Sequence, residues 1–435
     1  MKISGIEKKI LDYLERHRWL FLYIAVTLLS MVARFSLRGV ISGDMEWFLL
    51  PWASVLKENG GILALNKQVG NYGVLYQTII ALMTYLPVQY EYAYKIFSIL
   101  FDYALASVCA AMIREMTGSR LKTFLTYAFV IMLPSVVLNS SAWGQCDSVY
   151  VFFCILCIWL LVKEKYTFAF LSFGMAFSFK LQAIFLAPFL ILWYLKERKF
   201  SLFNFLLIPM VMIVTSLVGI LEGRSILSPL QIYLDQTGFY SSLHMNYPSF
   251  WALMTTSDAD GVFQKYSWFC ITSTLMVLLA ELAVFLKRKA HFSQRSTLFA
   301  AFVMTYSCVL FLPDMHERYS YLYMILGLML SVLEPQTLLS FIFLVLLDLQ
   351  TYGAFLFDPV RYPSSAATMA NPVPYPFINV MSAVNVLCLL SYILFWRKRF
   401  FSSVPDSSAQ KLAFSELRST GTGEKKQIRK EATVE

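Results

Sequence analysis

Charge is what this chain has least of. Only 14% of its 435 residues are Asp, Glu, Lys or Arg, against 58% hydrophobic, and its mean hydropathy is +0.60. That balance excludes a soluble globular domain, in which about a quarter of residues are charged. Histidine is scarce too: His17, His244, His291 and His316 are the full set, and their spacing offers no zinc site. The seven cysteines lie nearly all inside apolar runs. Cys154-x-x-Cys157 has ligand spacing but no second pair or histidine within a span, so these thiols read as small core residues. A small-residue cleavage site is missing after the first apolar run, which therefore reads as an anchor and not a removed signal peptide. The formal charge of +9 comes from Lys and Arg in short loops, a pattern that reports topology and predicts no nucleic-acid partner.

What is present is a series of apolar runs from end to end, which predicts an all-α, polytopic integral membrane protein. About twelve transmembrane helices are expected. They fall near 19–37, 92–113, 121–138, 147–163, 166–179, 181–195, 201–221, 267–286, 297–313, 319–333, 338–357 and 377–396. Lys8, Lys9, Arg16 and Arg18 precede the first, so the positive-inside bias puts residues 1–18 in the cytoplasm. The same bias gathers Arg114, Arg120 and Lys122, then Lys196, Arg198 and Lys199, then Arg397, Lys398 and Arg399 on that side. Both termini are thus cytoplasmic. Residues 19–399 form the membrane domain, and 400–435, rich in Ser, Thr, Glu and Lys, form a disordered tail.

One apolar stretch, Gly73 to Pro87, is about fifteen residues long, short for a span. Counting it as one would also throw Arg114 to Lys122 outside. It reads instead as a helix at the interface. Before it, Phe48, Trp52, Val55 and Leu56 at helical spacing make a second, ended by Gly60-Gly61. The first outer loop, 38–91, thus carries two surface helices. A proline-rich segment at 358–376 reads as an extended lid.

Polar residues that could carry chemistry collect in the outer loops. Asp44 and Glu46 follow the first span; one carboxylate could take a proton from a hydroxyl, or Asp44 could cap the helix starting at Met45. They stand two residues apart and cannot share one helix face. Asn139 to Ser148 contains Trp143, Gly144, Gln145 and Asp147, an aromatic face beside polar groups that suits a sugar. It reads equally as a tight turn in which Asp147 caps the next span. Lys180, at the outer end of a span and against the positive-inside trend, either snorkels to headgroups or meets a phosphate. His316 and Arg318, in Met315-His316-Glu317-Arg318-Tyr319, suit an anion, with a self-satisfied ion network as the alternative. Asn246 lies in an aromatic loop that either covers a site or anchors in the interface. Arg34, Lys95, Asp102 and Asp348 fall inside spans, at a cost of about 2.5–3.5 kcal/mol each unless paired. Lys95 and Asp102 share roughly one face and read as ion-pair members.

In order and sidedness, these motifs resemble the GT-C superfamily of membrane glycosyltransferases. The matching stretches are Ser42-Gly43-Asp44, Trp52, Gly60-Gly61, Gly70-Asn71-Tyr72, Trp143 to Ser148, Phe179 to Ala183, Asn246 to Trp251 and Met315 to Tyr319. Within that superfamily the chain is most similar to bacterial homologues of the second mannosyltransferase of the GPI-anchor pathway. The dolichyl-phosphate-glucose-dependent glucosyltransferases are more distant. The resemblance covers residues 20–330 and departs at Cys146 and Tyr247.

The resemblance implies an inverting glycosyltransferase, with a hexose (mannose, glucose or galactose) on a polyprenyl phosphate as donor. The acceptor is an outer-face cell-envelope glycan or glycolipid, and the enzyme sits in the cell membrane with its active site outward. Carried over residue by residue, Asp44 is the base. Arg318, His316 and Lys180 meet the donor phosphate, and Glu46, Trp143, Gln145, Asp147 and Asn246 contact sugar or acceptor. No cofactor is expected; some relatives use a divalent ion, but no clear ligand set is visible here. The alternative is a transporter or flippase of a lipid-linked saccharide, which should show paired halves with Gly/Pro-broken spans.

Overall fold

The computed structural model describes residues 4–236, 242–254, 262–287, 291–356 and 378–401. The proline-rich segment 358–376, residues 402–435 of the tail, and residues 237–241, 255–261 and 288–290 lie outside them. Among the described residues the fold is helical, and the only extended pairing is two isolated bridges from Met245 and Asn246 to His316. The chain divides into two compact units, Met1–Ile393 and Leu394–Glu435, and what is described of the second is residues 394–401, the end of a helix that starts at Ile378.

The N-terminal part holds α1 (Gly5–Arg16) and α2 (Arg18–Ser36), then α3 (Leu50–Glu58) and α4 (Val74–Met83). The long α5 (Tyr90–Thr117) stops at Gly118, whose positive φ closes the last turn. Next come α6 (Arg120–Met132), α7 (Pro134–Leu138), α8 (Asp147–Val162), α9 (Tyr166–Phe179) and α10 (Ala187–Glu197). Three shorter helices follow: α11 (Leu207–Thr215), α12 (Leu217–Leu221) and α13 (Ser228–Gln236). The last five are α14 (Val262–Lys287), α15 (Gln294–Phe311), α16 (Tyr321–Leu333), α17 (Leu338–Leu356) and α18 (Ile378–Phe401). α18 runs two residues into the stretch that composition marks as disordered.

Five of these helices are long and apolar enough to cross a membrane: α2, α5, α14, the segment Pro335–Gly353 around α17, and Ile378–Arg397 of α18. A sixth is the bent pair α6–α7 with its extension to Trp143. Most of the remaining predicted spans differ in length or continuity, whereas α15 is a continuous helix of 18 residues that is less apolar, opening on Gln294, Arg295, Ser296 and Thr297. α8, α9 and α16 have 16, 14 and 13 residues, roughly 20–24 Å at the helical rise and less than the hydrocarbon thickness. The run 201–221 breaks into a 3-10 turn, α11 and α12. The predicted straight span 121–138 bends by 44° because Pro134 has no N–H to donate and holds Leu133 extended. That bend carries residues 139–143 away from the axis of α6 and into the polar cluster described below.

All thirteen residues of α16 are buried, so its apolar surface belongs to the protein core. α2 and α14 are mostly exposed and apolar, the composition of lipid-facing helices.

The charges inside spans do not pair as the sequence predicts. Asp102 on α5 takes the Arg34 guanidinium of α2 at 2.9 Å and the Ser140 hydroxyl at 2.6 Å. Among the described residues Lys95 forms no ion pair. Its ammonium donates to the carbonyls of Leu37, Arg38 and Val40, at 3.2, 2.9 and 2.6 Å, which the end of α2 leaves open. Face sharing along one helix does not decide partners when neighbouring helices offer better ones. Lys95 thereby fixes residues 37–40, the segment that leads to Asp44.

Arg224, after α12, clamps the far end of the same loop. It donates to the carbonyls of Leu65 and Lys67 and, at 2.7 Å each, to the side-chain oxygens of Gln68 and Gln77. Burial pulls its pKa down to about 10, still far above neutrality, so the clamp stays charged. α3 lies between the two clamps, and Arg224 reaches α4 directly through Gln77. Both helices stand where the sequence places surface helices, but seven of the ten residues of α4 are buried, so it packs into the fold. α4 begins at Gly73, where a Cβ would stand 2.3 Å from the Ser178 carbonyl oxygen. Backbone cannot yield as a side-chain tip can. Gly73→Ala should therefore push α4 off the end of α9 and lower the unfolding temperature by several degrees, in the range of a core overpacking change of about 1–3 kcal/mol. Thermal unfolding of the purified variant in detergent measures it.

Candidate active site

Two π-helical turns build the centre of the site, Met45–Leu49 and Asn139–Trp143, and such turns are frequent where function demands an irregular backbone. Ser42 ties them together: its Oγ donates to the Trp143 carbonyl at 2.8 Å and accepts the Met45 N–H at 3.1 Å. Gly144 then turns the chain in the left-handed region, φ 74°, a conformation that side chains disfavour. A Cβ there would also meet the Met45 methyl.

Asp44 lies in this junction and is largely buried. Its side chain caps no helix; Ser42 does that work. Instead Oδ2 accepts three hydrogen bonds, each 2.8 Å long, from Trp143 Nε1, Gln145 Nε2 and Arg318 Nη1. Among the described residues Oδ1 has no hydrogen-bond partner, and neither has Nη2 of Arg318. An acceptor and a donor therefore stand unclaimed on one ion pair.

A second pair lies beside the first. Lys180 bonds to Asp147 Oδ1, and both side chains are nearly inaccessible. Asn139 Nδ2 donates to Asp147 Oδ2 at 2.7 Å, and Arg318 Nε stands 3.7 Å from the same oxygen. Burial works against the charges on Lys180 and Arg318, but the carboxylates outweigh it: Asp147 raises the lysine, and Asp44 raises the arginine well above its usual value. Both stay cationic. Asp147 is thus the counterion of Lys180 and not a helix cap.

Gln145 links the two pairs. Its Oε1 accepts from the Tyr72 hydroxyl at 2.7 Å and from Lys180 at 3.4 Å, while its Nε2 donates to Asp44. With donors on one side and a carboxylate on the other, only one orientation of the amide satisfies all three. Tyr72 is the site residue to which the sequence assigns no role, although Gly70-Asn71-Tyr72 is one of the stretches that carry the resemblance. A tyrosine in a Gly-Asn-Tyr turn carries no signal of its own; its ring under Lys180, 5.1 Å from the ammonium, and its bond to Gln145 give it the role.

The remaining sequence candidates sort differently. Trp143 is fully buried, stacked on Phe355 at 4.2 Å, with the Arg318 guanidinium 5.3 Å from its ring centre. No face of it is open to a sugar, and its contribution is the indole N–H on Asp44. Glu46 is exposed and makes no side-chain hydrogen bond or ion pair among the described residues, so the structure does not bring it to the cluster. Asn246, in the left-handed region at φ 60°, pairs through its backbone with His316, which sets the 242–254 loop against the 312–320 loop. Burial pushes the Cys146 thiol up to about 11, so the residue at which the resemblance departs is a neutral thiol.

His316 stands 3.9 Å from the Glu317 carboxylate. Burial, with Arg318 and Lys180 adding to it, pushes its imidazole down to about 3. It is a neutral ring at working pH, not the third cation that its sequence context suggests. An unfolded chain binds a proton at this histidine below about 6.5 and the folded one only below about 3. Between those values the unfolded state holds more protons, so this group makes stability rise with pH through that window and level off above it. His316→Gln should flatten that slope, which unfolding temperatures at pH 5 and pH 7.5 compare directly.

Among the described residues no group of three or more His, Cys, Asp or Glu side chains is arranged to hold a metal ion. No known family model matches this chain, and no curated protein matches it.

Proposed function

We propose that this chain is an inverting membrane glycosyltransferase of the GT-C type, with about twelve spans, several of them short or broken. It transfers a hexose from a polyprenyl phosphate to a glycan or glycolipid at the outer face of the cell membrane. The observation that carries this reading is Asp44: a buried carboxylate with one oxygen held by three donors and the other unclaimed, next to an arginine with an unclaimed N–H.

That arrangement suits a proton transfer beside an anion. The acceptor hydroxyl gives its proton to Asp44 Oδ1, its oxygen bonds to the anomeric carbon, and the bond from that carbon to the phosphate oxygen breaks. The lipid phosphate leaves with the electron pair and gains charge, which Arg318 Nη2 offsets through a charge-assisted hydrogen bond. Attack from the face opposite the leaving group inverts the anomeric configuration. Lys180, committed to Asp147, contributes its field and not a free ammonium. His316 contributes a neutral hydrogen bond. The break at Pro134 is a feature the transporter reading predicts, but most of the polar motifs converge on one cluster, which favours the transferase.

The test is mass and linkage analysis of surface polysaccharides and glycolipids from three strains of the host: native, deletion, and Asp44→Asn at matched expression. Loss of one and the same hexose in both altered strains supports the reading and names sugar and acceptor together. Loss in the deletion strain alone removes Asp44 as base and, with it, the glycosyltransferase proposal in this form.

A further inference from the structure

Among the described residues α1 meets only the start of α2. None of its twelve residues is buried, and Ile6, Ile10, Leu11, Tyr13 and Leu14 are each between 44 and 73% exposed. At 100° per residue, Tyr13, Ile6, Ile10 and Leu14 form one stripe, with Leu11 at its edge. Lys8 flanks one side, and Lys9 and Arg16 the other. Glu7 falls between Leu14 and Leu11 on this face, but its carboxylate is turned back to the start of the helix: it accepts the Ser4 N–H at 2.6 Å while its own N–H bonds to the Ser4 hydroxyl. That capping box satisfies two of the open amides but buries nothing.

A free helix of twelve residues is marginal in water, and most helical stability comes from burying an apolar face. The structure points to what buries this one. Only His17 separates α1 from α2, a candidate membrane span. The Tyr13 ring packs on His17 at 4.4 Å and meets Phe21 edge-on at 6.2 Å, so the apolar stripe of α1 continues into the exposed apolar surface of α2.

We infer that α1 is an interfacial helix whose partner is the lipid surface at the N-terminal end of α2, with its apolar stripe among the acyl chains and Lys8, Lys9 and Arg16 at the phosphates. Length, moment and flanking cations match helices that lie in that plane. Docked so, α1 fixes the depth and rotation of α2, the helix that presents Arg34 to Asp102. Nothing here depends on the chemistry proposed for Asp44.

The experiment is spin labelling of the full-length protein in lipid nanodiscs containing anionic lipid. Single cysteines replace Ile10, Asp12, Leu14 and Glu15 in turn; the native cysteines are buried and out of reach of the label. None of the four positions is packed in the fold, so the labels leave it intact. The ratio of collisions with oxygen to collisions with a water-soluble nickel chelate should be several-fold higher at 10 and 14 than at 12 and 15. High nickel access at all four positions would mean a helix in water and would overturn the inference. Shielding of 10 and 14 from both reagents would place a protein there instead, and overturn it equally.

Discussion

Asp44→Asn should slow hexose transfer by about 10²–10⁴, the usual loss when a general base is removed. The amide keeps the shape of the side chain and an oxygen for hydrogen bonding, but it cannot take the proton of the acceptor hydroxyl. Its oxygen can face the three donors, which puts the NH2 where the unclaimed Oδ1 stood, and the change leaves Arg318 with Asp147, 3.7 Å away, as its nearest carboxylate. Some loss of stability accompanies the loss of rate, so the comparison needs transfer rates normalised to folded protein, judged by thermal unfolding in the same detergent. A folded variant that transfers at the native rate would eliminate Asp44 as the base.

The second large effect concerns Lys180 and Asp147, whose side chains are buried against each other. Removing either alone leaves an uncompensated charge out of water. Lys180→Met and Asp147→Asn should each cost about 3–5 kcal/mol of stability. The double variant removes both charges and should recover most of that loss, because a buried pair contributes little net stability over an uncharged replacement. Activity separates the two roles open to Lys180. If its field helps the departing phosphate, the double variant unfolds near the native temperature yet transfers slowly. Recovery of both stability and rate would reduce Lys180 to a counterion and leave Arg318 as the cation at the phosphate.

These two experiments bear on residues that the chain places far apart: Asp44 and Arg318 are separated by 274 positions, Asp44 and Gln145 by 101. Their convergence shows where reading from sequence succeeds and where it stops. Low charge and recurrent apolar runs are local properties, and they determine by themselves that the chain is helical and suited to a membrane. The spacing of Phe48, Trp52, Val55 and Leu56, and the short run after Gly73, likewise determine two helices between α2 and α5, because helical periodicity and length act within a few turns.

Partner choice is another matter. Whether Asp44 caps its own helix or faces Trp143, and whether Lys180 waits for a phosphate or already holds Asp147, depends on which side chains packing brings within about 3 Å. Lys95 and Asp102 share a face of α5, yet one binds carbonyls of the preceding loop and the other an arginine on α2. Tyr72 lies in a stretch that the resemblance includes, yet its role is defined only by the amide that it orients. Composition and periodicity determined the kind of protein and the loops that hold its polar residues. Only the tertiary structure decided which charges are already spent on one another, because desolvation and hydrogen-bond geometry are set by neighbours that the sequence does not place side by side.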